Sequence, residues 1–321
     1  MILRRKRILY KDWIYNWLLD KKHYIKESTY ANYSNAVFNH IIPKLGHYKL
    51  DELSHKLIQD YLLDLSKNGK INGSGGLSSK TIKDITIIIK GSLKKAMNEN
   101  KIKHIELTFN YPIDSKLEKI YVLSKSEQNK ITSYCLNNLD NKNLGILISL
   151  YSGLRIGELC SLQWNDINLK KSLISINKTV QRIYVKDFEE SKSKIIITTP
   201  KTKNANREIP VSKEFIELLK KFRGNNNEYI LSGSEKLIEP RTYRKYFDKV
   251  LKEIKINHIN FHSLRHTFAT NCISLGGDYK TVSELLGHAN VNITLNLYVH
   301  PRLSQKKKCI KLICKVFEEK N

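Results

Sequence analysis

Long apolar runs are missing from this 321-residue sequence, and so are paired cysteines. No stretch approaches the roughly 20 consecutive apolar residues of a membrane span. The first residues, MILRRKRILYKDW, are basic but lack the apolar centre of a signal peptide. Cys135, Cys160, Cys272, Cys309 and Cys314 are odd in number and scattered, with no C-x-x-C. That argues against a disulfide framework and for reduced thiols in a cytoplasmic protein. Internal repeats, low-complexity tracts and lipid-inserting amphipathic segments are absent too, which speaks against a membrane partner.

Acidic residues are scarce: 31 Asp and Glu stand against 56 Lys and Arg, a formal net charge of +25. Self-repulsion on this scale opposes compactness, so it points to a polyanionic partner. The excess is not a tail. Residues 1–112 carry 20 basic and 10 acidic side chains, and the remainder carries 36 and 21. Both halves are therefore candidates for touching the same polyanion, and nucleic acid fits better than a lipid surface.

Helical periodicity dominates the first hundred residues. LYKDWIYNWLLDK sets Trp13, Trp17 and Leu18 at helical spacing, and STYANYSNAVFNHIIPKLG reads as one helix capped by Ser28 and ending before Pro43 and Gly46. LSHKLIQDYLLDLSKNG follows, then the loop INGSGGLSS and the helix SKTIKDITIIIKGSLKKAMNENKI. Four helices with outward lysines describe a small basic bundle over residues 1–112. Residues 104–127 lose the period and contain Pro112, so a linker is placed at about 104–124 and a second domain at 113–321.

That domain opens with the cap pattern of LSKSEQ. Next come a buried helix, NLGILISLYS, a turn at Gly153 and a helix beginning with Arg155. Residues 172–211 switch to strands, SLISINKTVQ, KIIITTPK and REIPV, before helices resume through NITLNLYVH. The expected fold is mainly α with a small antiparallel β-sheet.

Five places in the second half carry polar chemistry: Arg155 after a glycine turn, Lys201 between strands, the His262–Arg265 pair, His288 after LLG, and Tyr298. Each has an ordinary explanation alone; His288, for example, suits a helix C-terminus. His262 and His266 invite a metal reading, but the intervening residues are Ser263, Leu264 and Arg265 rather than the H-E-x-x-H of a zinc helix. A cationic Arg beside a dication is unfavourable, and no paired carboxylates lie nearby for Mg²⁺. No metal and no cofactor are expected. His262 and Arg265, three residues apart, share a face, whereas His266 is expected to pack with Phe268 and the core.

Taken in order, SGLRIGEL, TPKTKNANREIP, HSLRHTFAT and LLGHANVNITLNLYVH resemble the motif set of the tyrosine recombinases, the phage-integrase family. The flavour is closest to integrases of Gram-positive phages and conjugative elements, many of which carry a further N-terminal arm-binding domain that this sequence is expected to lack. The resemblance implies an N-terminal helical core-binding domain and an α+β catalytic domain, closing as a clamp on double-stranded DNA. It implies catalytic roles for Arg155, Lys201, His262, Arg265 and His288, with Tyr298 as the nucleophile. It further implies a 3′-phosphotyrosyl intermediate needing neither metal nor ATP, and a tetramer of the chain on paired sites, with accessory DNA-bending or directionality proteins as further partners. The segment KKKCIKLICKVFEEK is then either a C-terminal helix passed to a neighbouring protomer or an ordinary packed terminal helix.

Chemistry agrees with those roles. Two guanidiniums can fork onto the non-bridging oxygens of a phosphodiester at any working pH. Two alternatives come from different classes. A type IB topoisomerase shares the nucleophile chemistry but would relax DNA without exchanging strands between sites. A helix-turn-helix regulator could be built on YKTVSELLGHANVNITLNLYV with Gly287 at the turn, but it leaves Arg155, Lys201 and Arg265 without a purpose.

Overall fold

A computed structural model describes residues 7–113, 120–188, 191–199 and 203–296, together with the single positions 307, 310 and 314. Most of KKKCIKLICKVFEEK lies outside the described residues. The chain forms two compact units: Met1–Glu118 with Ile183–Lys194, and Lys119–Arg182 with Ile195–Asn321.

The first unit is helical: α1 (Tyr10–Lys21), α2 (Glu27–Ala36), α3 (Ile42–Leu45), α4 (His55–Asn68) and α5 (Ser79–Asn98). Ser54 and Ser78 cap α4 and α5 by accepting from the Leu57 and Thr81 amides. The expected helix over residues 28–46 is present with two differences. It starts at Glu27, so Ser28 is buried inside it rather than capping it. A π-helical turn, Val37–Ile41, separates α2 from α3, immediately before Pro43, whose ring carries no amide proton to continue the ladder. Trp13 of α1 donates its indole N–H to the Ser92 carbonyl of α5 at 2.9 Å, which lets a large ring be buried without an orphaned donor. The strap after α5 buries Phe109, and His55 and Gln59 of α4 bond the carbonyls of Thr108 and Asn110.

Ile183–Lys194 belongs to this unit by packing, although it is remote in sequence. Phe188 meets Tyr15 and Phe38 edge-on, each with ring centres 5.0 Å apart, and the Lys186 amide donates to Ser34 Oγ at 2.9 Å.

The second unit contains α6 (Lys125–Asn137), α7 (Asn141–Ser152), α8 (Ile156–Ser161), α9 (Lys213–Lys220), α10 (Pro240–Glu253), α11 (His262–Ser274), α12 (Tyr279–Leu286) and α13 (Val291–Asn296). Its strands are β1 (Ile167–Asn168), β2 (Leu173–Ile176) and β5 (Arg207–Pro210), while β3 (Thr179–Lys186) and β4 (Ser191–Thr198) have residues in both units. β1, β2 and β5 make an antiparallel sheet in that order, with Ile174 opposite both Ile167 and Ile209. β3 and β4 form a separate two-stranded sheet, so SLISINKTVQ is two strands in two sheets rather than one. The break falls at Asn177 and Lys178, where Ser161 Oγ donates to the Lys178 carbonyl and Lys178 pairs with buried Asp166 at 3.1 Å.

Helix α6 opens with the reciprocal cap foreseen in LSKSEQ: the Glu127 amide donates to Ser124 Oγ, and the Ser124 amide donates to Glu127. Helix α7 is buried on every side, as its apolar sequence requires, and runs through a core of Leu144, Ile146, Leu147, Trp164, Tyr243, Phe247, Phe261 and Leu264. No helix of the described residues is long and apolar enough to cross a membrane.

Candidate active site

The site begins where α7 must stop. Gly153 takes a left-handed conformation, φ +67°, and a Cβ there would stand 2.6 Å from Phe268 and 2.9 Å from Leu286. This close approach brings the Gly153 carbonyl to Arg265. Two residues on, Arg155 precedes α8, and Glu158 in the first turn of α8 accepts from the Arg155 amide at 3.0 Å and from its Nη1 at 2.8 Å.

Helix α12 ends in a second left-handed glycine, Gly287, φ +63°. Its last carbonyls, the negative end of the helix dipole, are occupied by guanidiniums. Arg265, only 2% exposed, donates Nη1 to Gly153 O at 2.8 Å and Nη2 to Leu286 O at 2.5 Å. Arg155 reaches the same Leu286 carbonyl and that of Gly287, both at 3.4 Å. Arg207, the first residue of β5, donates Nε to Leu285 O at 2.6 Å and forks onto Glu158 at 3.0 and 3.2 Å. Three guanidiniums and one carboxylate thus meet at one helix end, and two of the cations share an acceptor.

The imidazoles border this group. His262 opens α11, its amide donating to Asn260 Oδ1 at 3.1 Å. His266 is partly buried, and its ring also stands edge-on to His262, centres 4.6 Å apart, because residues four apart are neighbours on a helix. Desolvation, reinforced by His266, Arg265 and Arg155, pushes the His262 pKa down to about 4, although the side chain as a whole is exposed. His288 is 8% exposed, with Nδ1 2.8 Å from the buried Thr294 hydroxyl. Burial, then Arg265 and Arg155, push its pKa down to about 3. Both rings are therefore neutral at pH 7. Burial and Arg155 also lower the Arg265 pKa, with Glu158 opposing, yet a guanidinium starts so high that it remains a cation.

Of the six residues proposed from sequence, Arg155, His262, Arg265 and His288 fall around the end of α12. Lys201 and Tyr298 lie outside the described residues. Asn204, three residues after Lys201, donates to the His288 carbonyl at 3.3 Å. Glu158, Arg207 and Thr294 are partners that the sequence did not single out. Glu158 had a signal, being three residues after Arg155 in the first turn of a helix; Arg207 had none beyond a strand start. Among the described residues, no group of three or more His, Cys, Asp or Glu side chains is arranged to hold a metal ion.

Three guanidiniums held on backbone carbonyls, flanked by neutral imidazoles, thus stand together in a strongly basic chain. The chain belongs to the phage integrase family: the model of that family matches residues 114–305, and that of the phage-integrase N-terminal SAM-like domain matches residues 9–66. It is 29% identical to a XerC-like tyrosine recombinase of Caldanaerobacter subterraneus, covering 95% of this chain and 83% of that protein. It is 26% identical to the transposase of transposon Tn916 from Enterococcus faecalis, over 80% of this chain and 65% of that one. In fold it is similar to the Tn1549 transposon integrase solved with transposon right-end DNA, with a TM-score of 0.73, 20% identity and coverage of 96% and 100%.

Proposed function

We propose that this protein is a tyrosine-type site-specific recombinase that integrates or excises a mobile DNA element from within the cytoplasm. Residues 1–112 would supply the core-site contacts and residues 113–321 the chemistry, with copies of the chain assembling as a tetramer on two duplex sites. The observation that carries this reading is the shared Leu286 carbonyl: Arg155 and Arg265 bond to it together, so two guanidiniums stand side by side at one helix end.

In that reading the two arginines grip the non-bridging oxygens of the scissile phosphate and stabilise the charge that gathers there during attack. A free tyrosine phenol has a pKa of about 10, and the Tyr298 phenol releases its proton to solvent, a loss these cations favour. Its oxygen attacks phosphorus, the bond to the 5′-oxygen breaks, and Lys201 protonates that leaving oxygen. His262 and His288, neutral and able both to donate and to accept, complete the hydrogen bonding around the phosphate. The 3′-phosphotyrosyl linkage conserves the bond's free energy, so attack by a 5′-hydroxyl from the partner duplex reseals the strand without ATP.

The experiment is a reaction with two plasmid-borne copies of the element's end sequence. Exchange of flanking DNA between the copies is the expected outcome. Relaxation of supercoils without exchange would point to a topoisomerase, and binding with neither activity to a regulator.

A further inference from the structure

Resting on that reading, we infer that Arg207 is a positioning residue for strand cleavage: by sharing Glu158 with Arg155, it keeps the Arg155 charge available to the scissile phosphate. Arg207 is not itself placed to grip substrate. Its side chain is 6% exposed, and its donors go to Leu285 O, Ala205 O and both oxygens of Glu158. A guanidinium has five N–H groups, so this one is nearly saturated by protein.

Glu158, 3% exposed, explains why a second cation is needed. Its carboxylate accepts from the Arg155 amide and Nη1 as well as from the Arg207 fork. Burial by itself would raise the Glu158 pKa, but Arg207 first and Arg155 second hold it below the usual carboxylate range, so it is an anion. Arg155, Arg207 and Arg265 against one Glu158 leave a net charge of two positive units facing the site. Without Arg207, Glu158 and Arg155 become a one-to-one ion pair, and the grip on phosphate falls to Arg265 alone. A buried carboxylate left with one partner draws that partner strongly, because little water competes.

Arg207 also fixes geometry. It links the turn after Lys201, through Ala205 O, to the end of α12, through Leu285 O. A Cβ on Gly287 would meet the Arg207 Cδ and Nη1 at 3.0 Å, so the guanidinium lies against the residue whose carbonyl receives Arg155.

The test is single-turnover cleavage of a nicked suicide duplex, with either a normal scissile phosphate or a methylphosphonate, in which a methyl group replaces one non-bridging oxygen and removes the negative charge. Arg207→Gln is expected to bind the site within about twofold of wild type, since affinity is spread over many phosphates. It should cleave the phosphate about 10–100-fold more slowly, the scale of losing an orienting partner. The deficit should shrink at least about tenfold on the methylphosphonate, which asks less of positive charge. In a Glu158→Gln background the same substitution should cost far less, because the competitor for Arg155 is gone. Should circular dichroism show Arg207→Gln unfolded, Arg207→Lys gives the same comparison with a smaller loss. An equal deficit on both substrates, or no deficit, overturns the inference. Wild type that binds the site but cleaves neither substrate defeats the recombinase reading itself, which separates the two failures.

Discussion

Arg265→Lys keeps the charge and removes the fork, so it isolates what the guanidinium geometry contributes. Arg265 gives one N–H to Gly153 O and one to Leu286 O. Of its five donors three remain for phosphate oxygens; an ammonium has three in all, and holding both carbonyls would leave it one. Of the two donors so lost, even one acting in the transition state costs about 10²–10³-fold in rate. If the ammonium turns to the substrate instead, a buried carbonyl is left unpaired at a cost of about 1–3 kcal/mol. For a unit of this size each kcal/mol lowers the melting temperature by about 2–4 °C. The expected variant therefore binds DNA within about threefold of wild type, because many phosphate contacts remain. It cleaves a suicide substrate about 100–1000-fold more slowly and melts a few degrees lower. Anisotropy, single-turnover cleavage and thermal melting measure the three quantities. Cleavage within about tenfold of wild type would refute the fork. A rate loss matched by an equal loss of affinity would show that Arg265 contributes to binding alone.

Gly153→Ala should destabilise the second unit by about 2–4 kcal/mol, combining left-handed strain with a clash against Phe268 and Leu286. Urea unfolding checks it, and a change under about 0.5 kcal/mol would contradict the packing. His262 and His288 have folded pKa values of about 4 and about 3 against 6.5 in the free side chain. The unfolded chain takes up protons that the folded one refuses, so stability should fall as pH drops from 6.5 toward 4. His288→Gln should flatten that fall, being the buried member; an unchanged slope would remove His288 as its source. EDTA should leave cleavage unaltered, since side-chain cations take the place of a metal, and activity lost to EDTA and restored by Mg²⁺ would count against that.

Much of the site was legible because its motifs are local. SGLRIGEL and LLGHANV each carry a glycine, a helix boundary and a polar group within ten residues, HSLRHTFAT carries a helix start with its polar groups, and those parts appear where a turn and two helix ends are observed. What was not legible depends on distance along the chain. Arg207 means nothing until Glu158, 49 positions away, is folded against it. Nothing in the local pattern ties Phe188 to Tyr15 and Phe38, far back in the chain, whose rings it meets edge-on. Ser28 carried the right chemistry for a cap, but the helix is capped at Lys26, two residues earlier, and boundaries are set by small energy differences. His266 is partly buried by its apolar neighbours and, by helix spacing, also meets His262.

A tyrosine recombinase must join a tyrosine oxygen to DNA during strand cleavage. The direct measurement is incubation of wild-type protein and Tyr298→Phe with an end-labelled suicide duplex bearing the element's end sequence. Denaturing electrophoresis and mass spectrometry of the digested product then locate the linkage. A covalent adduct on the peptide containing Tyr298 is expected from the wild type, and none from the variant despite undiminished DNA binding. An adduct of normal yield from Tyr298→Phe, or one mapped to another residue, would contradict that expectation.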